Sequence, residues 1–283
     1  MQIKNYKDTF KKELLPIYDE QEIDSFFYII LEKLHGLKRI DLALNPETVL
    51  DGNHLKQWKN IVYNLKIQKP IQYILGETEF YGLRFEVNEN TLIPRPETEE
   101  LVELIVVESR RSKVKSLKIL DIGTGSGCIA VSLAANITNA EVFAIDVSEK
   151  ALATAKKNAE INNVKVNFLL KNILETDDLK QQFDIIVSNP PYVRNLEKAE
   201  IKLNVLEYEP HLALFVEDND ALLFYRKIAE LALKNLAPNG RLYFEINQYL
   251  GKETVGLLED LGFKNIELKK DIYGNDRMIS CNL

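Results

Sequence analysis

Cysteine, histidine and long apolar runs are all scarce in this chain of 283 residues. Its two cysteines, Cys128 and Cys281, cannot build a disulfide framework, and three histidines without a ligand spacing do not make a zinc site. No apolar run approaches the roughly 20 residues that span a bilayer, and the first residues contain no apolar signal region. We therefore expect a cytoplasmic protein without a metal ion and without membrane contact.

Positive charge is also in deficit. There are 36 lysines and arginines against 43 aspartates and glutamates, which gives a net charge of −7. Nucleic-acid-binding proteins usually carry a basic surface, so this balance argues against a direct nucleic-acid substrate without excluding a local basic patch. Hydrophobic residues make up 46% of the chain, which is enough to fill the cores of two domains.

The most informative segment is Asn189-Pro190-Pro191-Tyr192, which follows the apolar run at 183–188. Adjacent prolines fix the backbone and remove two N–H donors, so the nearby carbonyls cannot be absorbed into a helix or a sheet ladder. The result is a rigid set of hydrogen-bond acceptors beside an aromatic ring. Such a set suits a planar –NH2 group that must be turned toward an electrophile. For the tetrapeptide alone, a simple turn after a strand is the alternative.

A glycine-rich turn lies upstream, at Gly123-Thr124-Gly125-Ser126-Gly127, between a strand-like run and a helical stretch. This order is typical of nucleotide sites. Cys128 takes the place of the third glycine of the dinucleotide fingerprint, and no Lys-Ser/Thr pair follows, so the turn suits a ligand without a pyrophosphate. Asp146 ends the next apolar run, about twenty residues later, where a carboxylate can accept hydrogen bonds from both ribose hydroxyls.

The periodicity of apolar residues divides the chain into three parts. Residues 1–74 show helical spacing without a catalytic cluster, and 75–95 alternate as a hairpin linker with Gly82 at its turn. In 96–283, apolar strands alternate with helices, which indicates parallel βαβ units. The predicted strands are 117–121, 141–146, 166–170, 183–188 and 241–246, followed by two closing strands at 262–268 and 277–281 without a long helix between them.

Together these segments resemble the S-adenosylmethionine-dependent methyltransferases, and within them the HemK/PrmC family, which methylates a glutamine side chain of peptide chain release factors. The resemblance covers most of the chain, including 69–76, 80–83, 92–99 and 271–277. Asn-Pro-Pro-Tyr is shared with enzymes that methylate amino groups of DNA and RNA, whereas the Ile-Pro-Arg-Pro-Glu-Thr-Glu block at 93–99 is far more specific. One departure is Glu245-Ile246-Asn247-Gln248, where the family tends to have glycine and glutamine after the Glu. We assign those residues no role.

The resemblance implies an α/β fold: a Rossmann-like, seven-stranded methyltransferase domain with an antiparallel last strand, and a small N-terminal helical bundle that docks the protein substrate. It implies S-adenosylmethionine as the cofactor and a release factor as the partner. The implied cofactor-binding residues are Gly123, Thr124, Gly125, Ser126, Gly127, Asp146, Asn172, Ile173 and Asn189. The implied catalytic residues are Asn189, Pro190, Pro191 and Tyr192.

Two other functions fit parts of the pattern. An adenine-amino methyltransferase acting on DNA or RNA would use the same tetrapeptide, but it must also flip a base and hold phosphates. A nucleotide-binding module without catalysis would have no need of two rigid acceptors. The segment 207–214 is expected to border the substrate entrance, with His211 in a structural role.

Overall fold

The computed structural model describes residues 1–45, 47–111 and 116–283. The helices are α1 (Ile3–Leu14), α2 (Glu20–His35), α3 (Arg39–Leu44), α4 (Gly52–Lys66), α5 (Ile71–Leu75), α6 (Pro96–Ser109), α7 (Cys128–Asn136), α8 (Glu149–Ile161), α9 (Leu203–Tyr208), α10 (Leu223–Asn235) and α11 (Gly251–Asp260). The strands are β1 (Glu77–Phe80), β2 (Leu83–Glu86), β3 (Lys118–Ile122), β4 (Glu141–Asp146), β5 (Val166–Leu170), β6 (Phe183–Ser188), β7 (Val193–Arg194), β8 (Phe215–Val216), β9 (Leu236–Glu245), β10 (Lys264–Lys270) and β11 (Asp276–Asn282).

The chain forms two compact units. The first, called the helical unit below, contains Met1–Gly76 and Leu203–Tyr208, so α9 belongs to it although it follows β7 in the chain. The second, called the sheet unit below, contains Glu77–Lys202 and Glu209–Leu283. Within the described ranges, no helix is long and apolar enough to cross a membrane.

The helical unit has an aromatic core. Trp58 of α4 is fully buried, and its ring lies 5.6 Å from that of Phe10 and 5.0 Å from that of Phe27. The indole N–H donates a hydrogen bond to Nε2 of His35, so the buried polar atom of the tryptophan is satisfied. Asp19 caps the first turn of α2 through the N–H of Glu22. These contacts explain why the apolar residues recur at helical spacing.

The hairpin of β1 and β2 begins the sheet unit. Its two turn residues, Tyr81 and Gly82, have φ of 50° and 71°, the left-handed combination that matches the twist of a two-residue hairpin. The short strands β7 and β8 form a separate parallel pair.

The large sheet contains seven strands in the order β10-β11-β9-β6-β3-β4-β5. All pairs are parallel except those of β11, which runs antiparallel between β9 and β10. This confirms the predicted seven-stranded α/β fold with an inserted antiparallel last strand. The central strands β3 and β6 are mostly apolar, as expected of a parallel sheet whose two faces are covered by helices.

The fifth parallel strand is longer than predicted. It begins at Leu236 instead of residue 241, since Leu236 pairs with Phe183 before the breakers Pro238 and Gly240. The ladder skips several residues and resumes at Arg241 opposite Ile185. The irregular pairing accommodates the proline inside a central strand.

Candidate active site

The carboxyl ends of three neighbouring strands meet at one edge of the sheet. Ile122 of β3 pairs with Ile145 of β4 on one side and with Ser188 of β6 on the other. The glycine turn, Asp146 and Asn189 therefore all lie at the same edge. The strand order reverses between β3 and β6, and in such sheets the crevice at that switch point is where ligands bind.

A cavity of about 340 Å³ opens at this switch point, a size within the range of small-molecule sites. Residues predicted for the site that line it are Gly123, Gly125, Asp146, Asn172, Ile173, Asn189, Pro190 and Pro191. Apolar side chains complete the wall, among them Ile145, Leu174, Phe224 and Ile228. Four other predicted residues, Thr124, Ser126, Gly127 and Tyr192, are not among the residues that line it.

The glycine turn follows an unusual backbone path. Gly123, Gly125 and Gly127 have φ of 73°, 56° and 81°, in the left-handed region that side chains rarely adopt. At Gly127 there is a second constraint, because an added Cβ would lie 3.0 Å from the Cβ of Ala155 in α8. The third glycine thus allows the turn to pack directly on the helix that follows Asp146.

A carboxylate missed by the sequence reasoning supports the turn from below. Asp121, the penultimate residue of β3, is fully buried. Its Oδ2 accepts hydrogen bonds from the hydroxyl of Thr124 (2.6 Å) and the N–H of Ala130 (3.2 Å). Its Oδ1 has no hydrogen-bond partner among the residues that the structure describes. Burial raises the pKa of this carboxyl to about 7.

Asn158 of α8 ties the same turn to the hairpin. Its buried amide donates to the carbonyls of Ser126 (2.8 Å) and Glu86 (2.9 Å), and its Oδ1 accepts from the N–H of Glu86 (2.6 Å). Because three backbone groups depend on one side chain, Asn158 fixes the position of Ser126 relative to β2.

Asp146 itself is anchored by two backbone donors. Its Oδ2 accepts from the N–H of Gly125 and its Oδ1 from the N–H of Ser148, both at 2.8 Å. Burial raises the pKa of this carboxyl, and the two hydrogen bonds oppose that shift. The carboxylate is thus held rigidly at the rim of the cavity, with lone pairs left for a ligand.

Asn172 performs a local task besides lining the cavity. Its Oδ1 accepts from the N–H of Leu174 at 3.0 Å and caps the short 3-10 helix Ile173–Glu175. This cap places Ile173 beside the cavity with its apolar side chain.

The tetrapeptide at 189–192 is connected to a buried polar network. The Nδ2 group of Asn189 donates to the hydroxyl of Thr98 (3.2 Å), which donates to Glu245 (2.6 Å). The hydroxyl of Tyr192 donates to the other oxygen of Glu245 at 3.1 Å. Glu245 is buried and ends β9, and its burial raises the pKa of its carboxyl. Burial also raises the pKa of the Tyr192 phenol, so that hydroxyl stays protonated and acts as a donor.

The segment after Glu245, to which the sequence reasoning gave no role, holds the tetrapeptide by its backbone. Asn247 donates through Nδ2 to the carbonyl of Tyr192 at 3.0 Å and to the carboxylate of Glu197 at 2.9 Å. Glu197 in turn is ion-paired with Arg194 at 2.5 Å. Glu245 at the end of β9 thus contacts the side chain of Tyr192, and Asn247, two residues later, contacts its main-chain carbonyl.

The rim of the cavity joins two distant segments. Glu209 is buried, accepts from the N–H of Ile93 (3.1 Å) and pairs with Arg95 (2.5 Å). Next to it, Pro210, Leu212 and Ala213 line the cavity, whereas His211 is exposed and its ring contacts Phe215. Both thiols are free: Cys281 is buried, and Cys128 is partly exposed. No cluster of three or more potential metal ligands occurs in the described ranges.

A parallel sheet with one antiparallel strand inserted near its end, and a ligand crevice at the switch point, is the architecture of the Rossmann-like methyltransferases, and this chain is one of them. The family model described as "Methyltransferase small domain" matches residues 99–209, and the one described as "PrmC N-terminal domain" matches residues 10–76. A solved methyltransferase structure from Pyrococcus furiosus superposes with a TM-score of 0.51 at 20% identity, covering 82% of this chain and 98% of that one, which supports the fold.

Two curated relatives are closer in sequence. The release factor glutamine methyltransferase of Flavobacterium psychrophilum is 71% identical over 100% of this chain and 99% of its own length. That of Bacteroides thetaiotaomicron is 43% identical over 96% of this chain and 97% of its own. The chain therefore belongs to the release factor glutamine methyltransferases, and the resemblance drawn from its motifs is confirmed.

Proposed function

We propose that this chain transfers a methyl group from S-adenosylmethionine to the side-chain amide nitrogen of the glutamine in the Gly-Gly-Gln motif of peptide chain release factors. One observation carries the proposal beyond family membership. Asn189 and Pro190 lie on the wall of the same cavity as Gly123, Gly125 and Asp146. An acceptor pair for an amide and a set of groups for a nucleoside therefore face one volume.

The residues around the cavity fit S-adenosylmethionine. Asp146 would hold the ribose hydroxyls, the backbone of Gly123 and Gly125 allows close approach, and Asn172 and Ile173 would flank the adenine. An apolar wall with a few fixed polar groups is typical of such sites. When bound, the cofactor supplies an electrophilic methyl group on a sulfonium centre.

The role of the protein's own residues in the reaction is to orient a weak nucleophile. An amide nitrogen is a weak nucleophile because its lone pair is delocalised, so it must be aimed at the electrophile. Once the new carbon–nitrogen bond has formed, the nitrogen gives up one of its two protons to solvent. The side-chain oxygen of Asn189 and the carbonyl of Pro190 accept the two N–H bonds of the substrate amide, which polarises the nitrogen. Pro191 keeps this backbone rigid, and Tyr192 supplies the aromatic ring of the motif. Orientation together with fixed acceptors for developing positive charge can contribute several kcal/mol.

The first experiment compares substrates. Radiolabelled S-adenosylmethionine is supplied with folded release factor, its glutamine-to-asparagine variant, duplex DNA and ribosomal RNA. Label on the wild-type release factor alone supports the proposal, because asparagine is one methylene shorter and withdraws the nitrogen from the methyl donor. Label on adenine, or equal label on the asparagine variant, contradicts it and favours the nucleic-acid alternative.

The proposal also covers the partner and the place of action. Nucleic acids and membranes are not substrates or partners in it, and the reaction occurs in the cytoplasm, where release factors act on ribosomes. The helical unit is proposed to dock the intact release factor. Its helix α3 has no buried residue, and it exposes Ile40 (60%) and Leu44 (70%).

Docking can be tested without deleting residues 1–76, whose removal would leave α9 without the rest of its unit. The double variant Ile40→Ser, Leu44→Ser should react more slowly with intact release factor and at the normal rate with a short Gly-Gly-Gln peptide. Leu233→Ser, on an exposed position of α10, is the matched control. Equal rates of the double variant and the wild type on intact release factor would remove α3 from the docking surface.

A further inference from the structure

The hydroxyl of Thr98 has no role in its own helix. Thr98 is the third residue of α6, whose amino-terminal cap is Arg95 and whose first residue is Pro96, and no side chain caps this helix. The hydroxyl instead lies between two residues that are distant in sequence, Asn189 and Glu245. Its side chain is buried with 2% of its surface exposed.

The chemistry of a hydroxyl fixes the direction of both hydrogen bonds. A hydroxyl has one proton. Both oxygens of Glu245 accept from hydroxyl groups, one from Tyr192 and the other from Thr98 at 2.6 Å, so the Thr98 proton is donated to Glu245. The hydroxyl must then accept from its other neighbour, which is the Nδ2 group of Asn189 at 3.2 Å. Because the two ends of an amide point apart, the acceptor Oδ1 of Asn189 is directed away from Thr98.

The same carboxylate also fixes the other end of the tetrapeptide. One oxygen of Glu245 serves Thr98, and the second accepts the hydroxyl of Tyr192 at 3.1 Å. Asn189, through Thr98, and Tyr192, directly, are thus both hydrogen-bonded to the same buried carboxyl group. Arg277, ion-paired with Asp271 at 3.1 Å, lowers the pKa of Glu245 against the effect of burial.

A buried carboxylate is a poor source of stability, since its desolvation opposes the hydrogen bonds it gains. Groups that cost stability and converge on a site are candidates for function. Here Glu245 and Thr98 converge on Asn189, which in the proposed reaction must present its oxygen, and not its –NH2 group, to the substrate amide. An inverted Asn189 would place a donor against two donors.

We propose that Thr98 and Glu245 are positioning residues of the methyl transfer, which hold the Asn189 amide with its oxygen toward the substrate nitrogen. This inference rests on the proposed function, in which Asn189 accepts a hydrogen bond from the glutamine amide. Neither residue touches the reacting atoms, and both act through Asn189.

Three variants separate positioning from packing. Thr98→Val keeps the shape and removes both hydrogen bonds, Thr98→Ser keeps the hydroxyl, and Glu245→Gln keeps the shape but turns one acceptor into a donor. The matched control is Thr254→Val in α11, since Thr254 is equally buried and its hydroxyl donates only to the carbonyl of Leu250.

The single-turnover rate of methyl transfer to release factor is the main readout. Thr98→Val and Glu245→Gln should be slowed by about ten- to a hundredfold, as small misplacements at a reacting centre commonly cost that much. Their affinity for S-adenosylhomocysteine and their KM for release factor should stay within about twofold, a split that lost stability does not produce. Thr98→Ser should transfer at nearly the wild-type rate, and so should Thr254→Val.

A double-mutant cycle tests the route of action. If Thr98 acts through Asn189, the change Thr98→Val should have no further effect on the transfer rate in the Asn189→Ala background. Additive effects, an unaffected rate in Thr98→Val, or equal losses in Thr98→Ser and Thr98→Val would each overturn the proposal.

A readout without substrate keeps the inference separate from the proposed function. In selectively labelled protein, the side-chain N–H signals of Asn189 should move in Thr98→Val and return in Thr98→Ser. A wild-type protein that leaves release factor unlabelled would contradict the proposed function, whereas unmoved Asn189 signals would contradict the positioning by Thr98.

Discussion

Replacing Asp146 by alanine should separate cofactor binding from folding. The substitution removes a carboxylate that accepts the N–H groups of Gly125 and Ser148, both at 2.8 Å. In the proposed complex the same carboxylate also accepts the ribose hydroxyls. The change therefore removes one ligand contact and two anchors of the surrounding backbone, while the strand ladder of β4 is untouched.

The size of the effect follows from these contacts. A hydrogen bond to a charged group contributes about 1.5–3 kcal/mol. Since 1.4 kcal/mol corresponds to a factor of ten, loss of the ribose contact predicts roughly ten- to a hundredfold weaker binding. The two backbone donors lose their acceptor as well, which should lower the free energy of unfolding by about 1–3 kcal/mol.

The pH dependence gives a second signature. Burial raises the pKa of the Asp146 carboxyl. In the proposed complex it is the ionised form that holds the ribose. Cofactor affinity in the wild type should therefore fall as the pH falls through that raised value. Asp146→Ala has no such group, so its weaker affinity should not follow the same titration.

Titration calorimetry with S-adenosylhomocysteine, repeated at several pH values, measures the affinity and its pH dependence. The control is Asp19→Ala in the helical unit. It removes a carboxylate that caps a helix by accepting from the N–H of Glu22, and it should leave the affinity unchanged. A folded Asp146→Ala protein that binds S-adenosylhomocysteine as tightly as the wild type would show that this carboxylate does not contact the cofactor.

Other substitutions test the remaining parts of the site. Asn189→Ala should lower kcat by about 10² to 10³ with little change in S-adenosylhomocysteine affinity, and near-normal single-turnover transfer would contradict the alignment mechanism. Gly127→Ala should destabilise the fold, measured by urea unfolding, by more than the roughly 1–2 kcal/mol of a left-handed residue, because its Cβ also meets Ala155. Gly82→Ala, with positive φ but open space, should show only the backbone cost. Burial raises the pKa of Asp121 to about 7, so its contribution to the free energy of unfolding is full below the ordinary pKa of 3.8 and is lost as the pH rises through about 7. Between pH 5 and pH 8 the wild type should thus lose more stability than Asp121→Asn, and parallel curves would contradict this.

The parallel strands could be predicted from the sequence to within a few residues because each is a short apolar run bounded by turn residues. The exception is β9. Its first half contains Pro238 and Gly240, which by themselves indicate the end of a strand. The structure nevertheless pairs Leu236 with Phe183, so tertiary pairing overrides the local preference.

The placement of the residues proposed to bind the cofactor and the substrate was predictable for a geometric reason. Gly123 and Asn189 each follow a strand, and the carboxyl ends of parallel neighbours lie side by side. The supporting residues had no comparable signal. Asn158 contacts the hairpin 72 residues away, and Thr98 contacts Glu245 across 147 residues. Only an acidic residue at the end of a buried strand, as at Glu245, could have drawn attention.

Buried carboxylates organise the loops that form the cavity. Asp121 supports the glycine turn, Glu209 holds the segment at Ile93, and Glu245 holds the tetrapeptide. A loop exposes backbone and side-chain donors that a sheet or helix would satisfy internally, and a buried carboxylate can take up several of them at once. The carboxylate that supports the glycine turn lies in the strand just before it, whereas Glu209 and Glu245 reach their partners from segments distant in sequence. Asn-Pro-Pro-Tyr grafted onto a different sheet would lack the anion that orients its asparagine, so the tetrapeptide alone does not define the catalytic geometry.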